Sequence, residues 1–139
     1  MSAYKRIECD IVDKASLLEA LSILNLSFED HEIPQHLYGW KDDQRNEKAN
    51  IIIKRNEVNK YTGASNDIGF IWNGEKYEMV ISEYDKKFNM DKRFIQAYVK
   101  VVLEKSLIKN GFKIKVNISE EQLRQRQIAD LDIVARKII

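Results

Sequence analysis

The chain has a single cysteine and a single proline in 139 residues. One cysteine, Cys9, excludes an internal disulfide and fits a reducing compartment. One proline and five glycines exclude a low-complexity or loop-dominated polymer. No apolar run approaches the ~20 residues that a bilayer-spanning helix needs, so no membrane is expected. The first ten residues, MSAYKRIECD, lack the apolar stretch of a signal peptide. There is no P-loop, no GxGxxG before a helix and no GxSxG elbow, which removes the common nucleotide-binding and serine-hydrolase devices. The two histidines, His31 and His36, do not form a metal-ligand pattern with Cys9. His31 stands beside Glu29, Asp30 and Glu32, a set that reads most simply as a solvated acidic edge. The expectation is no cofactor, no metal and no catalytic residue.

What is present is an ordinary soluble composition, 32% charged and 44% hydrophobic, sized for one domain with a real core. Net charge is +1, so no global field draws nucleic acid. The distribution is uneven: residues 1–40 carry seven acids against three bases, and residues 85–115 carry nine bases against three acids. Arg93, Lys100, Lys113 and Lys115 make a candidate basic patch, the weak footprint of an acidic partner or nucleic acid.

The segment Asn66 to Ser82, NDIGFIWNGEKYEMVIS, is the richest in information. Asn73-Gly74 is a strong hairpin signal, since a two-residue type I′ turn needs positive φ at both central positions. That turn pairs Trp72 with Glu75, Phe70 with Tyr77, Gly69 with Glu78 and Ile68 with Met79. Alternation then puts Ile68, Phe70, Trp72, Tyr77, Met79 and Ile81 on a core face. Asp67, Gly69, Ile71, Lys76, Glu78 and Val80 take the other face, with a gap at Gly69. A glycine inside a strand marks a bulge or a close approach by a ligand or another backbone. Asp67 and Glu78 flank that gap, so a small acidic site and a plain solvated face both remain open.

Elsewhere, Lys5 to Ile11 alternates as a first strand with Cys9 inward, where a thiol acts as a small hydrophobe. Asp13 is a suitable N-cap for a helix from Lys14 to Leu24, and Asn25 a left-handed stop. Ser27 to Ile33 reads as a short strand interrupted by Pro34. QHLYGW, residues 35–40, reads as a short strand entering an exposed loop, KDDQRNEK, with Tyr38 and Trp40 around Gly39. ANIIIKR has three successive isoleucines, the mark of a central strand buried on both faces. Glu57 to Ser65 reads as a polar loop. A second helix spans Asp91 to Lys109, with Phe94, Ile95, Tyr98, Val101 and Val102 as its apolar stripe, stopped by Asn110-Gly111. Phe112 to Ile118 alternates as a strand. Ser119-Glu-Glu-Gln is a capping box, so residues 119–130 suggest a helical insertion or link before a last strand around Leu131 to Ala135.

The order β-α-β-β-β-β-α-β-β favours a single α+β domain over residues 1–139. Its mainly antiparallel sheet carries two helices on one face.

At this point the residues resemble a conserved domain of unknown function. It is the family known as hypothetical chloroplast reading frame thirty-five, with plastid, cyanobacterial, other bacterial and phage members. The resemblance rests on ASLLEALSIL, LYGW, ANIII, NDIGFIWNGEKYEMV and AYVKVVLEKSLIKNGFKI, in that order along the chain. The chain departs from the family pattern at Asn66, where a tyrosine is common, and in its ARKII ending. The resemblance implies a fold and no reaction. Localisation is expected to be cytoplasmic, or stromal for a plastid-encoded protein. The functional expectation is a small non-enzymatic binding or adaptor domain, acting through a protein partner or as a homo-oligomer. The candidate ligand or partner surface is Tyr38, Gly39, Trp40, Asp67, Gly69 and Glu78. The alternatives are nucleic-acid binding at the basic patch and a small-molecule site near the DIGF hairpin.

Overall fold

A computed structural model describes residues 3–109. The elements are β1 (Tyr4–Ile11), α1 (Lys14–Ile23), β2 (Glu29–Tyr38), β3 (Gln44–Ile53), α2 (Arg55–Thr62), β4 (Ile68–Trp72), β5 (Tyr77–Ser82), α3 (Glu83–Lys87) and α4 (Met90–Lys109). Five strands form one sheet in the order β1-β5-β4-β3-β2, and every neighbouring pair is antiparallel. The class is α+β, as the order of elements implied.

The main core lies between one sheet face and helices α1 and α4. Leu17, Ala20, Leu21 and Leu24 recur at i, i+3, i+4 and i+7, and so do Phe94, Ala97, Tyr98 and Val101. Both stripes bury against Ile51, Ile53, Ile68, Phe70, Met79 and Ile81. Each fully buried side chain of this size contributes roughly 1.5–3 kcal/mol. Phe70 and Phe94 meet edge to face at 5.5 Å, which ties α4 to the sheet centre. The Tyr98 hydroxyl accepts from the backbone N–H groups of Val12 and Asp13, both at 3.1 Å, and fixes the turn from β1 into α1. Asn25 stops α1 in the left-handed conformation, with φ 57°.

The opposite sheet face carries a smaller cluster of Leu37, Ala49, Ile52 and Val80, with Tyr4 and Ile71 against it. Ala49 and Ile52 share this cluster although three residues apart. The β2–β3 ladder slips between Asp30 and Gln35, where Asn50 alone of β3 faces residues 31–34 of β2, so regular pairing does not run through this stretch. Beyond the slip the hairpin folds over the second face. Tyr4, on one edge strand, thereby reaches the hairpin: its ring lies 5.0 Å from the Arg45 guanidinium of β3, and its hydroxyl donates to Tyr38 O of β2, the other edge strand, at 3.4 Å.

Several expectations are corrected. The β4–β5 register pairs Trp72 with Tyr77, Phe70 with Met79 and Gly69 with Val80, two residues away from the type I′ pairing. The connection is a four-residue loop closed by Asn73 N–H to Lys76 O at 3.0 Å, and only Gly74 takes positive φ, 103°. Asn73 Oδ1 accepts from the N–H groups of Glu75 and Lys76, both at 2.9 Å, and this Asx geometry overrides the two-residue turn. A shift of two preserves the faces, so Ile68, Phe70, Tyr77, Met79 and Ile81 are buried as expected. Trp72 is not: at the strand end it is 41% exposed. Glu57 to Ser65 is not a loop but largely α2, and Gln44 to Lys48 belongs to β3 rather than to an exposed loop. Pro34 lies inside the edge strand β2 instead of ending it. The expected strands after Gly111 and the 119–130 insertion lie outside the described residues, as do Lys113 and Lys115.

Candidate binding surface at the Trp40 loop

Ser65, Asn66 and Asp67 precede β4 and are all buried. Three successive buried polar residues must find partners, because an unsatisfied buried polar group costs about 1–3 kcal/mol. They find them on every side. Asp67 Oδ1 accepts from Arg55 N–H at 2.8 Å, and Oδ2 accepts from Tyr38 N–H and from Lys54 Nζ, both at 2.9 Å. The backbone of Asp67 completes the junction: its N–H donates to Tyr38 O at 2.9 Å, and its carbonyl accepts from the Tyr4 hydroxyl at 2.6 Å. Burial, with Asp67 and Asp85 nearby, pushes the Tyr4 phenol well above its ordinary pKa, so it stays a donor.

Asn66 uses both ends of its side-chain amide. Oδ1 accepts from Trp40 N–H at 3.0 Å, and Nδ2 donates to Ser82 Oγ at 2.9 Å. Ser82 caps α3 and shares Asp85 Oδ2 with the Asn66 N–H. Asp85 is fully buried, its Oδ1 has no partner among the described residues, and burial pushes its carboxyl up to about 6. Ser65 is held by Asn59 of α2, whose Oδ1 accepts from both its N–H and its hydroxyl at 2.8 Å.

This polar layer presents the loop between β2 and β3. Gly39 N–H donates to Asp43 O at 2.8 Å, Asp42 N–H donates to Gly39 O at 2.9 Å, and Asp42 carries a φ of 63°. The Asp42 carboxylate pairs with Arg55 at 3.1 Å. Trp40 is therefore pinned through its own backbone and both flanks, yet the residue is 51% exposed, with Lys41 Nζ 5.0 Å from the ring centre. Beside the loop runs an open groove of about 540 Å³ lined by Tyr38, Asp42, Lys54, Arg55, Asn56 and Asn59. Lys54 Nζ also lies 4.8 Å from the centre of the Tyr38 ring.

The six surface residues expected from sequence thus divide. Tyr38, Gly39, Trp40 and Asp67 come together. Gly69 stands apart: a Cβ there would lie 2.3 Å from Ala49 Cβ and 3.2 Å from Leu37, so the close approach is by the chain's own β2–β3 hairpin. Glu78 pairs with Arg6 and accepts from Asn73 Nδ2 at 2.9 Å. The Asn73 hydrogen bond, then Arg6, holds its carboxyl below the usual range. In the basic patch, Arg93 is half-buried with its guanidinium 4.3 Å from the Tyr61 ring centre, and Lys100 lies two turns along α4. Sequence reading missed Asn66, Lys54 and Arg55. The polar run SND directly before an apolar strand was the available signal.

The family model described as Protein of unknown function (DUF1257) matches residues 20–130. The chain belongs to this family. The match spans most of the chain, including the Trp40 loop, the buried polar layer and the β4–β5 hairpin, so the surface described here lies within the DUF1257 domain. No curated protein and no solved structure matches the chain.

Proposed function

We propose that this DUF1257 domain is a non-enzymatic binding module that captures a protein partner through the Trp40 loop. The observation that carries the reading is an exposed indole on a backbone already fixed by Asn66, Asp67 and Arg55. Exposed tryptophans held in place are the side chains that dominate protein interfaces. Pre-organisation lowers the ordering cost of association. The partner's complementary feature is an apolar pocket with a carboxylate at its rim, facing Lys41 beside the ring. Asp67 supports the loop; its three donors occupy both carboxylate oxygens, which makes it a structural anchor for the surface.

The test is tagged capture from the native cell with the wild type and Trp40→Ala in parallel. A partner recovered in stoichiometric amount by the wild type and lost on Trp40→Ala, with an unchanged melting temperature, supports the module. The expected loss is at least about 2 kcal/mol of binding, the size of an interface hot spot. A monomer that captures nothing sinks it. Nucleic acid that co-purifies and is released steeply by salt moves the assignment to the basic face of α4.

A further inference from the structure

At the other end of the sheet from the Trp40 loop, the strands leave an open cleft of about 340 Å³. Its wall is aromatic: Trp72 and Tyr77 meet edge to face at 4.9 Å, and Val12 forms part of the lining. Its rim is acidic, with Asp30 and Glu32 of β2 lining it beside His31. The floor is braced by Asn50. Its Oδ1 accepts from Trp72 N–H at 3.0 Å, and its Nδ2 donates to the carbonyls of His31 and Glu32, both at 3.2 Å. That side chain spans the slipped part of the β2–β3 ladder and fixes the spacing between the aromatic wall and the acidic rim. The Tyr77 hydroxyl makes no hydrogen bond among the described residues.

One cation already occupies part of this environment. Lys14 Nζ pairs with Asp30 Oδ2 at 2.9 Å, and Lys14 is half exposed at the cleft mouth. Its ammonium is favoured by Asp30 through a hydrogen bond and its charge, and by the charge of Glu32. The lysine stem is flexible, whereas the aromatic wall and Asn50 brace are fixed. An external cation can take the Asp30 carboxylate while its body lies against the Trp72 ring, the arrangement that attracts ammonium and guanidinium groups to indole.

We propose that the cleft formed by Asp30, Glu32, Asn50, Trp72 and Tyr77 is a binding site for an organic cation with an alkyl stem, a guanidinium or alkylammonium group. Lys14 is its built-in competitor. The cleft is separate from the Trp40 surface and stands or falls without it.

The experiment uses the full chain carrying Trp40→Phe, which leaves Trp72 as its single indole, titrated with N-butylguanidinium under constant ionic strength. The expected result is a saturable change in Trp72 emission. N-Butylurea, a neutral molecule of the same shape, should bind more weakly. Asp30→Asn or Glu32→Gln should weaken the guanidinium roughly two- to fivefold, the span of one exposed ion pair, and Lys14→Ala should tighten it by a similar factor. All three positions are at the surface, so folding is retained and checked by melting temperature. Equal binding of the urea, no saturable response, or no effect of Lys14→Ala overturns the proposal. A capped Gly-Arg-Gly peptide that binds tighter than butylguanidinium places the cation on a polypeptide. The reverse order places it on a small molecule.

Discussion

Gly69 shows how much a single residue can decide. Its missing side chain lets Ala49 and Leu37 rest directly on β4, so the second sheet face closes without a gap. The intruding atom would be opposed by an alanine Cβ fixed to backbone, which cannot swing aside. Gly69→Ala is therefore expected to lower stability by about 1–3 kcal/mol, the usual cost of overpacking, read as a reduced midpoint in urea with an unchanged slope. Gly74→Ala is the control, because that position has open space and is strained only through its φ of 103°. Its cost is that of the backbone alone, roughly 1–2 kcal/mol for a Cβ at positive φ. If Gly69→Ala is as stable as the wild type, Ala49 does not seat against β4 as described. In the sequence, Gly69 was legible as a place of close approach. What approaches was not legible, because the answer lies twenty residues earlier in a strand whose register slips.

At the scale of elements, legibility followed apolar periodicity. Helices α1 and α4 carry stripes at i, i+3, i+4 and i+7, and both were recoverable. Helix α2 was hidden because RNEVNKYT has one buried apolar residue, Val58. Polar anchors hold it instead: Asp67 on the Arg55 N–H, Asn59 on Ser65, and the Tyr61 hydroxyl on Leu24 O at 2.7 Å. Such anchors leave no pattern in hydropathy. The hairpin faces were legible because the side-chain period is two, and the true register differs from the expected one by two. Asp67 is the element-scale test, since one carboxylate joins the end of β2, the start of α2 and the start of β4. Asp67→Ala orphans two backbone donors and a lysine, and should cost roughly 3–5 kcal/mol, as breaking a buried charged network does. Asp67→Asn keeps one acceptor and should fall between that variant and the wild type. Chemical denaturation measures both. A loss below about 1 kcal/mol for the alanine variant would show that water replaces the carboxylate without penalty.

For the whole molecule, the fold is a curled sheet whose two edge strands communicate through Tyr4, 34 residues from Tyr38 and 63 from Asp67 in sequence. Contacts at that separation are invisible to local pattern, and they create the buried polar layer that supports the Trp40 loop. The layer also makes stability depend on pH in an unusual sense. Asp85 sits inside it with one oxygen unpartnered among the described residues, faced by Asp67 and the Tyr4 phenol, and its carboxyl is pushed up to about 6, chiefly by burial. An acid whose folded pKa is raised ionises more readily when unfolded, so ionisation favours the unfolded chain. The penalty is absent below the unfolded pKa of ~3.9, grows as pH rises toward 6, and is complete above it, reaching about 3 kcal/mol. Asp13, Glu57, Glu78 and Glu83 act oppositely: their lowered values give stability that is present above the ordinary carboxylate range and lost below it. The wild-type profile mixes both trends, so the informative quantity is a difference. Asp85→Asn removes the titration while retaining an oxygen for Ser82 and the Asn66 N–H. Its melting temperature should exceed that of the wild type most clearly above about pH 7 and converge with it toward about pH 4. A gap that stays constant across this range would show that Asp85 does not titrate within the fold. A gap that widens on acidification would mean that its carboxylate is stabilised by the layer, reversing the sign argued here.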